Sequence, residues 1–344
     1  MSQAKVTIAI VNSSSFGVSF PEHLRELEKF AELIRVDIPN GAPASVFHQK
    51  LSGADGIIAS VTPVYTREVL LGLPKLRLLA RHGVGCDNVD LDACAELGIA
   101  VSKVGPEVER ESVAQMAVGL MNASARCICE GADVVKAGQW ARRARLALGV
   151  DFAGATIGLI GIGAIGKTVA RILSQGFGAK VIACDPYVSA EEIAARHARK
   201  VDLDTLLADS EIISLHCPLT AETSRMLGAE QIARMRPGVI LVNTCRGEIY
   251  KQADLIAALE SGKVGGYATD VVEGEPIDGN HVLLKTPNVI ITPHLGGYSV
   301  VSLRGMGQTM VEDMRRIFVE GAFPGVIANP QIDLANSRIV RFRK

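Results

Sequence analysis

Apolar and polar positions along the first hundred residues fall into blocks that switch between two periods. Val6–Val11 is an apolar run with strand character. Over residues 21–34, Leu24, Leu27, Phe30, Ala31 and Ile34 share one face, which predicts a helix. Residues 54–61 and 76–81 predict strands, with a short helix from Thr66 between them. Residues 87–97 read as helix and 99–102 as strand. Such alternation implies a parallel sheet with helices on both faces. From 105 to 126, Val113, Met116, Ala117, Leu120 and Met121 recur at helical spacing and predict one long helix. A second alternating series opens at Ala155. It predicts a strand at 156–161, a helix from Ala164 to about Phe177, and strands at Lys180–Cys184, 211–215, 239–242, 267–271 and Val289–Ile291. The helix predicted at 299–319 is expected to return to the first domain and make it discontinuous.

Length and composition narrow this further. At 344 residues the chain is long for one core, so two domains are expected. Hydrophobic residues at 48% and charged residues at 21% are ordinary for a globular protein. A net charge of −1 gives no global attraction to nucleic acid or to an anionic membrane. No apolar run approaches a membrane span, and residues 1–5 lead directly into a strand without a secretory signal, so a cytoplasmic protein is expected. The seven cysteines hold no C-x-x-C pair. No metal site is expected, and the thiols read as small buried hydrophobes. Cys127 and Cys129 are expected on two faces of one helix. Cys245, beside Arg246, is a candidate oxidation-sensitive thiol. Arg142, Arg143 and Arg145 follow Trp140 in a cationic stretch expected to face solvent or a partner.

Two sets of residues carry chemistry. The first is Gly161-Ile162-Gly163-Ala164-Ile165-Gly166, between an apolar strand and a helix, with Asp185 ending the next strand. Gly161 permits a tight turn, Gly163 leaves room for a pyrophosphate, and Gly166 lets helix and strand pack closely. The helix start offers free N–H groups to phosphate. A carboxylate at 185 suits both hydroxyls of an adenosine ribose and repels a 2′-phosphate, so NAD is the expected cofactor. The second set is Arg246 in Asn-Thr-Cys-Arg-Gly, Glu275 in Glu-Gly-Glu-Pro, and His294 in Thr-Pro-His. An arginine can hold a carboxylate through paired hydrogen bonds. Histidine exchanges a proton near neutral pH, and a carboxylate can fix its tautomer. Together they suit hydride transfer at C2 of a 2-hydroxy acid.

With His82-Gly83-Val84-Gly85-Cys86-Asp87-Asn88 and His216-Cys217-Pro218-Leu219-Thr220 added, the chain resembles the D-isomer-specific 2-hydroxyacid dehydrogenases over nearly its whole length. The resemblance implies an α/β fold of two Rossmann-like domains with an interdomain cleft. A flavodoxin-like substrate domain would comprise residues 1–103 and 298–344, and an NAD-binding doubly wound parallel sheet residues 104–297. It also implies a homodimer through the NAD-binding domain, with much of the contact from 105–150. Arg246, Glu275 and His294 resemble the catalytic set. Gly83, Val84 and Gly85 resemble the loop whose amides hold the substrate carboxylate. His82 adjoins that loop, and Arg81 is a candidate for a second substrate anion or for a strand-end ion pair. Cofactor contacts would come from Gly161, Gly163, Ala164, Ile165, Gly166, Asp185, His216, Cys217, Pro218, Thr223, Thr244, Cys245 and Asp270. Ser102-Lys103-Val104-Gly105-Pro106 and Val113-Ala114-Gln115 depart from the family pattern near the cofactor. D-3-phosphoglycerate is the leading substrate. The alternatives are another small anion such as formate or phosphite, and an NAD(H)-sensing corepressor-like binding protein. With only a short tail after Pro330, serine feedback through an added regulatory domain is not expected.

Overall fold

The computed structural model describes residues 5–333, 335 and 337–341. The chain divides into two compact units, Met1–Glu109 with Ser299–Lys344, and Arg110–Tyr298.

The first unit is built on strands β1 (Val6–Val11), β2 (Ala31–Val36), β3 (Gly56–Ala59), β4 (Leu78–Arg81) and β5 (Ala100–Lys103). They form one sheet in the order β2-β1-β3-β4-β5, and every pairing is parallel. That order is flavodoxin-like. Alternation along β1 sends Ala9 and Val11 to one core with Phe47, Leu51 and Tyr65, and Ile8 and Ile10 to the other. The helix Val300–Arg315 supplies Leu303, Met306, Met310 and Met314 to that second core. The C-terminal part of the chain therefore completes the unit that the N-terminal part begins. It also covers the outer edge of β5. Asn329 accepts from Val101 N at 2.9 Å and donates to Ile99 O at 2.9 Å, so its amide stands in for a neighbouring strand.

Residues 21–34 correct the sequence reading. The helix there runs only over Glu22–Glu28, and the second half of the predicted face is β2. Apolar residues at 31, 33, 34 and 36 fit both periods. An edge strand with polar Glu32 and Arg35 carries too little alternation to separate them.

The second unit contains β6 (Thr156–Ile160), β7 (Lys180–Cys184), β8 (Arg199–Lys200), β9 (Ile212–Leu215), β10 (Val239–Asn243), β11 (Val264–Thr269) and β12 (Val289–Ile291). Its sheet is again fully parallel, in the order β12-β11-β10-β9-β6-β7-β8. The inner strands β9 and β10 are buried at every position, as expected for a sheet covered on both faces. The helix Pro106–Ala125 packs Ala114, Ala117, Leu120 and Met121 on one face with Ile157, Leu159 and Val242. Leu206, Ile232, Leu255 and Leu259 cover the other. The short strand β8 and the helices after it had no counterpart in the sequence reading. Cys127 and Cys129 do not share a helix: Cys127 precedes Ile128–Lys136 with a left-handed backbone, φ 49°. Among the described residues no helix is long and apolar enough to cross a membrane.

Asp313 is the least comfortable group in the first unit. It is 2% exposed, and its Oδ2 has no hydrogen-bond partner. Gly325 N donates to Oδ1 at 3.3 Å. Burial raises the carboxyl above its usual range, outweighing the pull of Ser102, Gly325 and Arg316. A carboxyl whose folded value is raised favours the folded state only while protonated, so stability falls as pH climbs from the unfolded value through the raised one. Asp313→Asn keeps the acceptor and drops the charge. It should add about 1 kcal/mol at pH 8 and less at pH 4, read by urea denaturation at both values. A variant less stable than wild type at pH 8 would contradict this account.

Candidate active site

In a parallel sheet all strands end at one edge, and that edge is where open α/β sheets bind ligands. Every site residue expected in the second unit lies just beyond a strand end there: the glycine turn after β6, Asp185 after β7, His216 to Pro218 after β9, Thr244 to Arg246 after β10, Asp270 and Glu275 after β11, and His294 after β12.

The glycine turn fits a dinucleotide, and each glycine has its own reason. Gly161 has φ +90°, and a Cβ there would meet His216 C and O at 2.7 Å. At Gly166 a Cβ would lie 2.4 Å from Gly161 O. Around Gly163 there is nothing within 4 Å of a Cβ, so the space above it is open to a phosphate. The helix Ala164–Arg171 follows directly, with Gly163 at its N-cap and no side chain capping it. The first N–H groups of a helix have no partner within it, which is what makes such a start attractive to phosphate. Asp185 ties the turn to the next strand: Oδ2 accepts from Ile162 N at 3.0 Å and Oδ1 from Tyr187 N at 3.0 Å.

Glu275 and His294 are brought together. Nδ1 of His294 lies 2.5 Å from Oε1 of Glu275. The two side chains are 25% and 32% exposed, enough to react and dry enough to strengthen the bond. His294 adopts φ +54°, a backbone region that non-glycine residues enter only when the surroundings impose it. What imposes it is Asp270, 2% exposed. Its Oδ1 accepts from Leu295 N at 2.7 Å and Thr292 Oγ1 at 2.5 Å, and its Oδ2 from Gly296 N at 2.6 Å. His294 N itself donates to Asp270 O at 3.0 Å.

Arg246 stands on the adjoining turn. Asn243 shapes that turn, accepting from Cys245 N at 2.9 Å and donating to Arg246 O at 2.8 Å. Gly247 lets the turn press on the chain that leads to Glu275, since a Cβ there would meet Glu273 N at 2.1 Å and Val272 C at 2.2 Å. Arg246 Nη1 donates to Cys245 O at 2.6 Å. The roles of Asn243, Gly247 and Thr292 were not read from the sequence. A glycine directly after the arginine was the available signal, because it permits close backbone approach.

The remaining expected cofactor residues are neutral. His216 has both ring nitrogens buried without partners, and burial lowers it to about 3. Cys217 is raised to about 11 by burial. Cys245 donates Sγ–H to Leu215 O at 2.9 Å, and burial raises its thiol far above the usual range. That environment corrects the reading of Cys245 as oxidation-sensitive, which requires an accessible thiolate. Thr223 closes its own loop by donating to Pro218 O at 2.6 Å. Thr244 Oγ1 is buried without a partner.

In the first unit the expected substrate loop follows β4. Gly83 N donates to Arg81 O at 2.8 Å, and Val104 N to Gly83 O at 3.1 Å. His82 packs edge-on to Phe16, with ring centres 5.4 Å apart. Burial, with Arg81 nearby, lowers His82 to about 4.

A sequence model described as D-isomer specific 2-hydroxyacid dehydrogenase, NAD binding domain, matches residues 118–296. The chain belongs to this family. These enzymes are NAD(P)-dependent oxidoreductases of 2-hydroxy and 2-keto acids, and Arg110–Tyr298 contains the residues matched as the NAD-binding domain. Among similar proteins, the glyoxylate reductase of Thermococcus litoralis is 34% identical over 318 residues, 91% of this chain and 95% of that one. The D-3-phosphoglycerate dehydrogenase of Methanocaldococcus jannaschii is 33% identical over 92% of this chain, which spans 59% of that longer protein. A D-lactate dehydrogenase from Aquifex aeolicus, solved with NAD and lactic acid, superposes with a TM-score of 0.82 at 29% identity, covering 94% of this chain and 99% of that one.

The three glycines predict a contrast within this 2-hydroxyacid dehydrogenase. Gly163→Ala should leave the melting temperature unchanged yet weaken NADH binding at least tenfold. Gly166→Ala should cost about 2 kcal/mol of stability or more, because the intruding methyl meets backbone. Fluorescence titration and thermal melting read both. Equal NADH affinity in Gly163→Ala would remove the phosphate from that space.

Proposed function

We propose that the enzyme reduces a small 2-keto acid, of the glyoxylate or hydroxypyruvate type, to the D-2-hydroxy acid with NADH. The observation that carries the proposal is the 2.5 Å contact between His294 and Glu275 at the strand edge that also bears Arg246. The choice of keto acid leans on the glyoxylate reductase, whose length the chain matches almost throughout. D-3-phosphoglycerate is the rival substrate, and its named relative is a much longer protein.

His294 is the acid/base. It gives a proton to the keto oxygen during reduction and takes one from the hydroxyl during oxidation. Glu275 accepts from the other ring nitrogen, Nδ1, and so fixes the tautomer and the ring orientation. Arg246 binds the carboxylate and polarises the carbonyl. The amides of residues 83–85 also hydrogen-bond the substrate carboxylate, so the first unit serves as the substrate domain. Bound at the glycine turn, the nicotinamide cofactor supplies the hydride. Gly161, Gly163, Ala164, Ile165 and Gly166 hold its pyrophosphate. Asp185 accepts from its adenosine ribose and makes NAD the preferred form. His216, Cys217, Pro218, Thr223, Thr244, Cys245 and Asp270 line the rest of its groove.

A keto-acid panel run with NADH and then NADPH tests the reading. Turnover of glyoxylate or hydroxypyruvate is expected, and inactivity on every 2-keto acid tried would defeat it. His294→Ala should lower kcat by about 10²–10⁴-fold with NADH affinity intact. Asp185→Ala should narrow the gap between NADH and NADPH; an unaltered gap would reject the role given to that carboxylate.

A homodimer is proposed on a separate observation. The helix Ile128–Lys136 buries none of its residues, and Ile128, Val135, Trp140 and Leu148 are 54%, 52%, 66% and 98% exposed. Apolar side chains on one arm at such exposure suit a second copy of the chain. Light scattering should give the mass of a dimer, reduced to that of a monomer by Trp140→Glu with Leu148→Glu. A monomeric wild type would refute it.

A further inference from the structure

Arg81 ends β4, next to the 83–85 loop. A strand-end arginine aimed at a ligand would extend past the sheet edge. This one does not: the residue is 4% exposed. Nη1 donates to the carbonyl of His82 at 2.8 Å. The same nitrogen lies against Gly83, where a Cβ would come within 2.9 Å of it. Gly83 has φ +156°, a backbone angle that favours glycine. The main chain of Arg81 joins in, its carbonyl accepting from Gly83 N at 2.8 Å. The buried ring of Tyr65 lies close enough for the guanidinium to act on its hydroxyl.

We propose that Arg81 is a positioning residue that sets the backbone of the 83–85 loop and binds no anionic group of the substrate itself. This deepens the reading of that loop as the carboxylate cradle and rests on it. Amides can hold a carboxylate only where their N–H groups converge within hydrogen-bond distance. The guanidinium fixes where the chain leaves β4, because it grips the carbonyl that precedes Gly83 and fills the space beneath it. With Nη1 on that carbonyl and the residue 4% exposed, the guanidinium is committed to the loop rather than extended toward a substrate phosphate. A phosphorylated keto acid therefore gains nothing from Arg81 over its unphosphorylated counterpart.

Arg81→Met and Arg81→Gln separate the roles in the full-length enzyme. Methionine fills space without donating, while glutamine can still donate to the His82 carbonyl. Arg81→Met should raise KM by about 10–100-fold for glyoxylate, hydroxypyruvate and phosphohydroxypyruvate alike, as expected when a binding group shifts by about 1 Å. Its kcat should change less than its KM, and NADH affinity measured by fluorescence should not change. Arg81→Gln should recover part of the lost KM. In both variants the preference between phosphohydroxypyruvate and hydroxypyruvate should match wild type, with the phosphorylated compound read as a competitive inhibitor if it is not turned over. A selective loss of phosphohydroxypyruvate recognition would overturn the proposal, as would an unchanged KM in Arg81→Met. Should Arg81→Met fail to fold, the preference measured in Arg81→Gln decides alone. A wild type inactive on all three keto acids would instead remove the functional reading beneath this one.

Discussion

The site depends on one buried carboxylate holding one strained loop. Asp270 ends β11, and its two oxygens take Thr292 Oγ1, Leu295 N and Gly296 N from the segment after β12. Hydrogen bonds to an ionised carboxylate, shielded from water, are among the stronger ones a fold can make. They offset the cost of placing His294 at φ +54°. Without them the loop would relax, and the imidazole would lose its line to Glu275. The chemistry is thus mounted on a strand end, and the strand end is fixed by a sheet buried on both faces.

The parallel topology explains why residues far apart in sequence can share this edge. Register carries β10, β11 and β12 side by side, with Asn243 beside Thr269 and Thr269 beside Ile291. Each loop then needs only a few residues to reach its neighbour. Gly247 shortens the distance further by letting the Arg246 turn rest on Val272 and Glu273. An alanine in that place would push apart the two loops that carry the cation and the carboxylate.

Much of this was legible in the chain. Val6–Val11, Lys180–Cys184 and Val289–Ile291 came out at their observed limits, because each is a short, mostly apolar run bounded by polar or turn residues. The glycine turn and the Arg, Glu and His stretches were legible because each needs a particular residue type. What was not legible depends on partners distant in sequence. β2 is an edge strand whose apolar spacing also fits a helix, and only pairing with β1 decides it. Nothing local distinguishes Asp270 as the anchor of the His294 loop, since its three donors lie more than twenty residues on. For Arg81 the sequence left two roles open, and neither foresaw the His82 carbonyl that its guanidinium holds.

Burial holds several titratable groups of the second unit neutral. Under the Arg246 turn lie Cys217, Cys245, Tyr250 and Tyr267, all packed in one core. Burial raises every one of them, Cys217 to about 11 and Tyr267 to about 12, so each keeps its proton at neutral pH. His216 is shifted the opposite way, to about 3, and is equally uncharged. Ionisable groups on the loops after β10, β11 and β12 include Arg246, Asp270, Glu275, His294 and Glu273, the last paired with Arg225 at 3.1 Å. Residues kept neutral by burial are as much part of the candidate site as the Glu275–His294 contact.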